Sequence, residues 1–496
     1  MNKKLVVCDI GASSARVFTA AYDNGRIMLE LQHRFLNKPI IIGDSLYWDI
    51  FALYDGLKHG IAMIGKEADS IGIDSFSNDF LLLDKTGAVI EPPHTYRDAR
   101  TLGMVEEMDK YVSRKELYFR TGLQFNRMNS LYQWLSVVKQ RPWVLEKAEN
   151  LLFVPDALIC FLSGEKVTEY TLASVSQGYN PSEASWDHSL LKSIGFPARL
   201  LQRIVSPGET VGRLSEPVSR ELSVKPLPVI AVGEHDTASA IAAVPSLAPR
   251  FAYISSGTWS IVGTEIDKPL INERSYRHGL ANEGGVGGRI RLLKNVMGLW
   301  ILQECKRYWQ ERGSDDSFSA LAQHAALSTW NGHLFDPDDE LFYQPGPMPE
   351  LIARYFELRG MEAPHETGDV VRCVLLSLAC KYRYVLECLE HACGYTLPAL
   401  HIIGGGAQNA LLNQFTANIT NKPVYAGPFE ATALGNAVVQ LIAAGEFRSL
   451  AEARSAVIRS VETQEYIADG NGIWQEIYEK FRAETNLLPV EDKPIT

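Results

Sequence analysis

The sequence predicts an α/β protein made of two domains that share one architecture. Three observations carry that prediction. Strand-like runs alternate with helix-like runs along the chain, the pattern of sheets covered by helices. A glycine hairpin recurs once, about half a chain length later: Leu5–Ile10 and Arg16–Ala20 flank the turn Gly11–Ser14, and Phe251–Ile254 and Trp259–Thr264 flank Ser255–Thr258. A single echo at that spacing fits two similar domains and not a short-period solenoid. Finally, 496 residues of which 46% are apolar suffice for two or three separate cores.

The elements follow in order. Leu5–Ile10 is a buried-strand run delivered into a turn of small polar residues. Between Asp49 and Lys66, Leu53, Leu57, Ile61 and Ile64 recur at helical spacing. Ser70–Asp74 and Phe80–Leu83 read as strands, and Pro226–Val232 ends as a strand entering Gly233-Glu-His-Asp236. The segment Ala243–Pro249, rich in proline and small residues, marks the domain boundary, with residues 1–244 in the first domain and 245–496 in the second. After Lys294, the residues Val296, Leu299, Trp300, Leu302 and Gln303 read as a helix. Val370–Cys393 is a long apolar helix ending before Gly394, and Leu400–Ile403 is a buried strand feeding Gly404-Gly-Gly406.

Composition excludes several functions. The net charge is −11 and no basic block occurs, which argues against a general nucleic-acid binder or a protein held on anionic membranes. Seven cysteines without a C-x-x-C pair suggest reduced thiols. The few apolar residues before Asp9 are too short for a signal peptide, and the longest apolar stretch is interrupted by Arg372. A cytoplasmic enzyme, monomeric or homodimeric, is the expectation.

Chemistry concentrates in three small-residue turns that follow strands: Asp9-Ile-Gly-Ala-Ser-Ser14, Ser255-Ser-Gly-Thr258 and Gly404-Gly-Gly-Ala-Gln-Asn409. Glycine lets backbone N–H groups approach a phosphate, and hydroxyls add donors, so each turn is either an anion cradle or a plain turn. Gly60–Lys66 imitates a phosphate loop, but Glu67 stands where Ser or Thr would bind a metal, and the segment has a helical apolar face. Gly404-Gly-Gly406 lacks the third glycine of a dinucleotide fingerprint. Asp9, at a strand end, is either a Mg²⁺-side carboxylate or a turn cap. Asp236 is either a general base at a rigid strand end or the N-cap of a helix beginning at Thr237.

Taken together, these blocks resemble the FGGY carbohydrate kinases of the actin-like ATPase superfamily, most closely the rhamnulokinase group. The resemblance runs in order through Asp9–Arg16, Ser70–Asp74, Tyr96–Arg100, His235–Ser239, Ser255–Ser260, Asn282–Gly285, Leu293–Trp300 and Gly404–Asn409. It implies two ribonuclease-H-like domains around an interdomain cleft, with ATP as co-substrate and Mg²⁺ as cofactor. It places the first phosphate loop on Gly11, Ala12, Ser13, Ser14, Ala15 and Arg16, and the second on Ser255–Thr258, including Gly257 and Thr258. Nucleotide contacts fall on Gln303, Gly404, Gly405 and Gly406. Asp236 is the implied catalytic base and Asp9 the implied metal-side carboxylate. The sugar is expected at His235, Thr237 and Asn295, and at Ser77, Asn78 and Asp79. Here the chain departs from the rhamnulokinase pattern: Phe76-Ser-Asn-Asp-Phe80 stands where Trp-Gly-Val-Asp-Phe is usual. The substrate is then a ketose phosphorylated at O1, such as L-rhamnulose, L-fuculose or a pentulose. The rival class is an actin-like switch ATPase that phosphorylates no small molecule.

Overall fold

A computed structural model of the chain describes residues 3–314, 316–487 and 490. Two sheets form its frame. The first contains β1 (Lys3–Ile10), β2 (Ser14–Asp23), β3 (Arg26–Leu36), β4 (Ser70–Ser75), β5 (Thr210–Arg213) and β6 (Pro228–Ile230), in the order β5-β6-β4-β1-β2-β3. The second contains β7 (Ala252–Ser256), β8 (Trp259–Ile266), β9 (Ala281–Gly284), β10 (Ile290–Met297), β11 (Leu400–Ile403), β12 (Val424–Ala426) and β13 (Gln464–Tyr466), in the order β9-β10-β8-β7-β11-β12-β13.

The two sheets repeat one plan. β1, β2 and β3 make an antiparallel meander, and β4 and then β6 lie parallel beside β1. Likewise β7, β8 and β10 are antiparallel neighbours, and β11 and β12 lie parallel beside β7. At its parallel edge each array then carries one antiparallel strand, β5 on β6 and β13 on β12, and the second sheet adds β9 antiparallel to β10 at its other edge. The half-length echo in the sequence therefore marks a duplicated α/β unit. Parallel strands need crossovers, and here helices supply them and cover the sheets.

α1 (Ile50–Ile64) buries Leu53, Leu57 and Ile61, the helical stripe read from the sequence, and Asp49 caps it by accepting from the Ala52 N–H. The imitation phosphate loop is thus helix. α2 (Ser130–Gln140) packs in a separate core with Phe80, Leu82 and Trp186, α3 (Asp236–Ala242) follows the strand β6, and α4 (Trp300–Gln310) follows β10. One reading changes at this point: Val296 belongs to β10, and the helix starts only at Trp300. β10 is buried along nearly its whole length, so its apolar run has no alternation to announce a strand.

The long α5 (Thr367–Cys393) forms the spine of the second core, which also contains Ile254, Val262, Leu292 and Ile402. α6 (Ala431–Ala443) and α7 (Leu450–Ser460) come from the C-terminal half yet pack on the first sheet. Ala433, Leu434, Ala437 and Val438 share a core with Leu5, Val7 and Phe18. α6 crosses α3 so closely that a Cβ on Gly435 would lie 1.7 Å from the Ser239 carbonyl oxygen. Its polar edge reaches the first sheet: Asn436 Nδ2 donates to Asp74 Oδ2 (2.6 Å), and Gln440 donates to the Val6 carbonyl (3.0 Å) while accepting from Ser70 (2.7 Å). Among the described residues no helix is long and apolar enough to cross a membrane.

Candidate active site

A cleft of about 700 Å³ opens between the two sheets. Both hairpin turns, the Gly404 turn and the loop before α3 reach it. The sequence-predicted residues Ala12, Ser13, Arg16, Ser77, Asn78, His235, Asp236, Thr237, Gly257, Thr258, Asn295, Gln303, Gly404 and Gly405 all line it.

The first turn is tightened by the Gly11 N–H donating to Ser14 O (3.0 Å), and the Gly11 carbonyl is held by Asn37 Nδ2 (2.9 Å). A Cβ on Gly11 would crowd Ser14 O at 3.1 Å. Ala15 lies fully buried in β2 rather than in the loop, paired with Ile10, so it supports the turn without facing a ligand. In the second turn the Gly257 N–H donates to Trp259 O (2.9 Å). The Gly257 and Thr258 carbonyls accept from the Leu299 and Trp300 N–H groups at the start of α4, and the Thr258 hydroxyl donates to Gln303 Oε1 (3.3 Å). These bonds couple the turn to Gln303. Gly404 has φ +81° and donates its N–H to Pro428 O (3.1 Å). Gly406 does not face the cleft. It is glycine because a Cβ there would lie 2.0 Å from Ser256 Oγ, which locks the Gly404 turn against the second hairpin.

The carboxylates gather on the first sheet. Asp9 and Asp74 are register partners at the ends of β1 and β4. Asp9 is almost fully buried, and Arg16 bridges it to Glu430 at the start of α6. Burial raises the Asp9 pKa, opposed by Arg16. Asp74 is completely buried and its Oδ1 has no hydrogen-bond partner among the described residues; burial, then the charge of Asp9, pushes its pKa up strongly. Asp236 is the first residue of α3; the N-cap position before it is held by His235, whose side chain makes no capping bond. Asp236 Oδ1 accepts from the Thr237 N–H (2.6 Å) and hydroxyl (3.2 Å). The carboxylate opens to the cleft, with 35% of the side chain exposed, yet it lies at depth. That depth, more than the charge of Asp9, pushes its pKa up to about 6.

Magnesium prefers one or two carboxylates plus phosphate oxygens over an all-protein cage. The residues fit that preference. Among the described residues no group of three or more His, Cys, Asp or Glu is arranged to hold a metal alone. Asp9 and its register partner Asp74, whose Oδ1 is unpartnered among the described residues, repel each other in a way that a cation beside Asp9 would relieve.

The far end of the cleft combines aromatic rings with polar side chains. Trp48, Phe76 and Tyr96 form an aromatic wall, with Trp48 and Phe76 ring centroids 4.6 Å apart. Asn78 adopts φ +73°, a conformation asparagine tolerates well. Its Oδ1 accepts from the Ser130 N–H (3.1 Å) at the start of α2, and its Nδ2 donates to Ser77 Oγ (3.2 Å). Asp79 requires a correction. It lies beneath the pocket, 1% exposed, with its oxygens accepting from Trp48 Nε1 (2.7 Å), the Tyr96 N–H (2.9 Å) and Gln133 Nε2 (3.0 Å). It orients the wall instead of touching a sugar, and burial raises its pKa to about 7.

Sequence reasoning missed Trp48, Gln124, Glu283 and Trp300, which also line the cleft. Tyr96 and Trp300 lay inside matched blocks, which was the available signal; Trp48 had none beyond being a lone tryptophan. Arg97 sits over the Trp300 ring at 5.0 Å and so spans the cleft.

A duplicated α/β unit whose two copies bring glycine turns and the carboxylate of Asp236 to one cleft has the layout of a two-domain kinase, and comparison with known proteins gives the family. The N-terminal domain model of the FGGY family of carbohydrate kinases matches residues 5–242, and the C-terminal domain model matches residues 252–444. The chain belongs to this family and is an ATP-dependent sugar kinase. It is 41% identical to a rhamnulokinase of Bacteroides thetaiotaomicron over 97% of this chain and 99% of that one. It is 37% identical to a rhamnulokinase of Oceanobacillus iheyensis, over 94% and 98%. In fold it resembles the xylulose kinase of Lactobacillus acidophilus (TM-score 0.79, 16% identity, 97% of each chain). It also resembles the glycerol kinase of Plasmodium falciparum crystallised with ADP (TM-score 0.76, 17% identity, 97% and 96%). The two-domain ribonuclease-H-like fold is thereby established for this chain.

Proposed function

We propose that the protein phosphorylates the O1 hydroxyl of a ketose, with L-rhamnulose as the leading candidate, and that Asp236 is the general base. The observation that carries the reading is the position of Asp236: it starts a helix at the floor of the cleft, opens toward it, and has a pKa near 6. A carboxylate of that pKa is ionised at neutral pH and still basic enough to accept a proton as the hydroxyl attacks.

The mechanism is in-line transfer of the γ-phosphoryl group. Asp236 takes the hydroxyl proton while the sugar oxygen forms its bond to phosphorus and the bond to the ADP oxygen breaks. The Gly11 and Gly257 N–H groups donate within their own turns, so the phosphates and the charge that spreads over their oxygens are held by the remaining donors of the two turns, at Ala12 and Ser13 and at Thr258. Thr258 and Gln303 orient the nucleotide on the second domain, with Gly404 and Gly405 beside it. Asn295, His235 and Thr237 bind the sugar, and Ser77 and Asn78 shape its far end against the aromatic wall. When bound, Mg²⁺ held on the Asp9 side neutralises triphosphate charge. The two sheets enclose the reacting groups and keep bulk water from competing as acceptor.

The relatives named rhamnulokinase support L-rhamnulose, whereas Ser77 and Asn78 add hydrogen-bonding groups at the sugar end and favour testing L-fuculose and pentuloses beside it. The chain is proposed to act in the cytoplasm as a monomer or homodimer. The test is ADP release by the purified protein across a ketose and polyol library, ranked by kcat/KM, with the phosphorylated carbon of the best product assigned by NMR. Release that no sugar stimulates would favour the switch-ATPase reading; phosphate on a carbon other than C1 would overturn the O1 assignment.

A further inference from the structure

Arg291, on β10, has none of its side chain exposed. In register it faces Glu283 on β9 and Glu265 on β8. Glu265 is engaged by Arg454 (2.7 Å), which leaves Arg291 to Glu283, 3.1 Å from its Nη2. The guanidinium is held in its own sheet by Nε donating to the Gly284 carbonyl (2.8 Å). From there it crosses to the other domain, where Nη2 lies 3.1 Å from His235 Nδ1. His235 is fixed from its own side as well, its backbone N–H donating to the Thr171 hydroxyl (3.0 Å), and Thr171 in turn bonds to the buried Glu169.

Two groups approach Nδ1 of His235: the Arg291 guanidinium at 3.1 Å and Glu283 Oε2 at 3.7 Å, the latter beyond hydrogen-bond distance. A guanidinium only donates, so in the shorter contact Nδ1 accepts and carries no hydrogen. A neutral imidazole of that kind keeps its hydrogen on Nε2. That nitrogen is 3.5 Å from Asp236 Oδ1, at the cleft. The alternative tautomer would point an N–H at the guanidinium and a lone pair toward the sugar. Burial, with the charge of Arg291, also holds the His235 pKa well below the usual imidazole value, in keeping with a neutral ring.

We propose that Arg291 is a positioning residue that, acting from the second domain, fixes His235 as the neutral Nε2–H tautomer, so that the ring donates a hydrogen bond at the reacting end of the cleft beside Asp236. Glu283 balances the buried charge. The contact spans both domains, so the tautomer is set when the two halves stand as they do here. The consequence for catalysis rests on the sugar-kinase reading above; the tautomer itself does not.

The test uses the full-length chain labelled with ¹⁵N-histidine, without sugar or nucleotide, at neutral pH. The His235 signals are assigned by their loss in His235→Gln. In the wild type, a protonated Nε2 and a bare Nδ1 are expected, and an Nδ1–H ring overturns the proposal. The double variant Arg291→Met/Glu283→Gln, which leaves no unpaired buried charge, is expected to lose the single tautomer. Its kcat should fall on the order of 10²-fold, because misplacement at this scale costs about that much, while KM for ATP changes by less than about threefold. An unchanged tautomer in the double variant overturns the proposal. If that variant does not fold, the wild-type spectrum alone decides. A chain that shows the predicted tautomer and its loss, yet phosphorylates no sugar, would refute the kinase reading and leave the positioning role intact.

Discussion

The two hairpin turns occupy equivalent places in a duplicated unit and have diverged in charge. Two residues before its glycine, the first hairpin has Asp9, while the second has Ser255. The partner across the parallel ladder is Asp74 in the first half and Ile403 in the second. The first turn is tied by the backbone and side chain of Asn37, whereas the second is tied to α4 by the Leu299 and Trp300 N–H groups and by Gln303. The two copies thus supply two similar grips, and only the first has carboxylates at the turn and its ladder partner. The difference teaches that acid chemistry belongs to the first half, while the second presents neutral Ser, Thr and Gly donors to a polyanion.

The strongest way to break this comparison is Asp236→Asn. Loss of a positioned base costs ~10²–10⁴-fold in rate. We expect sugar-dependent ADP release to fall by that factor with nucleotide affinity intact, measured by steady-state kinetics and ATP titration. Near-normal turnover would move the chemistry away from the first half.

A second way is to restore the lost symmetry with Ser255→Asp. Ser255 lines the cleft, and a carboxylate there would face the triphosphate with like charge. An unfavourable interaction of about 1.4 kcal/mol, modest for two charges several ångströms apart, raises KM for ATP about tenfold. Unchanged KM would show that the second turn does not hold phosphate.

The acid limb of the pH profile gives a third measure. Asp236 must be ionised to accept a proton, and its pKa is raised to about 6. In the free enzyme kcat/KM for the sugar should be level above that value and fall toward tenfold per pH unit below it. An acid limb centred near the ordinary carboxylate value would mean that Asp236 is more open to solvent than its depth indicates.

Much of this division was legible in the sequence, because strands ending in glycine turns are local patterns. The hairpins, α1, α5 and the β11 turn all lie where apolar runs and glycines put them. What local pattern could not carry was contact between distant segments. Nothing around Asn436 and Gln440 announces that α6 would seat on the first sheet and bond to Asp74 and Val6. Nor does any motif link Arg291 to His235. Asp79 was misassigned for a related reason: a carboxylate that accepts from Trp48, Tyr96 and Gln133 beneath a pocket looks, in one dimension, like one that faces a sugar. Val296 was read as helix because a fully buried strand has no period of two.

The α3–α6 crossing gives a prediction about stability. Gly435 admits the Ser239 carbonyl where a methyl would stand 1.7 Å away, and neither atom is the end of a flexible side chain. Gly435→Ala must therefore push the helices apart, and overpacking of this kind costs about 1–3 kcal/mol. Denaturant unfolding should register that loss. No loss would mean that the two halves meet less tightly than the crossing implies.

The smallest expected effect lies at the sugar end. Ser77 Oγ accepts from Asn78 Nδ2, and Asn78 holds the start of α2, so the pair is both pocket lining and scaffold. Ser77→Gly removes the hydroxyl from the cleft and leaves Asn78 bonded to Ser130, so the backbone at φ +73° keeps its support. One hydroxyl contact is worth about 1 kcal/mol net, which amounts to a few-fold change in the ratio of kcat/KM between ketoses. The shift is expected toward L-rhamnulose, because the room gained lies where the rhamnulokinase pattern has glycine. An unchanged ranking across the ketose panel would assign specificity to the aromatic wall of Trp48, Phe76 and Tyr96 instead, and so to residues that Asp79 holds from beneath.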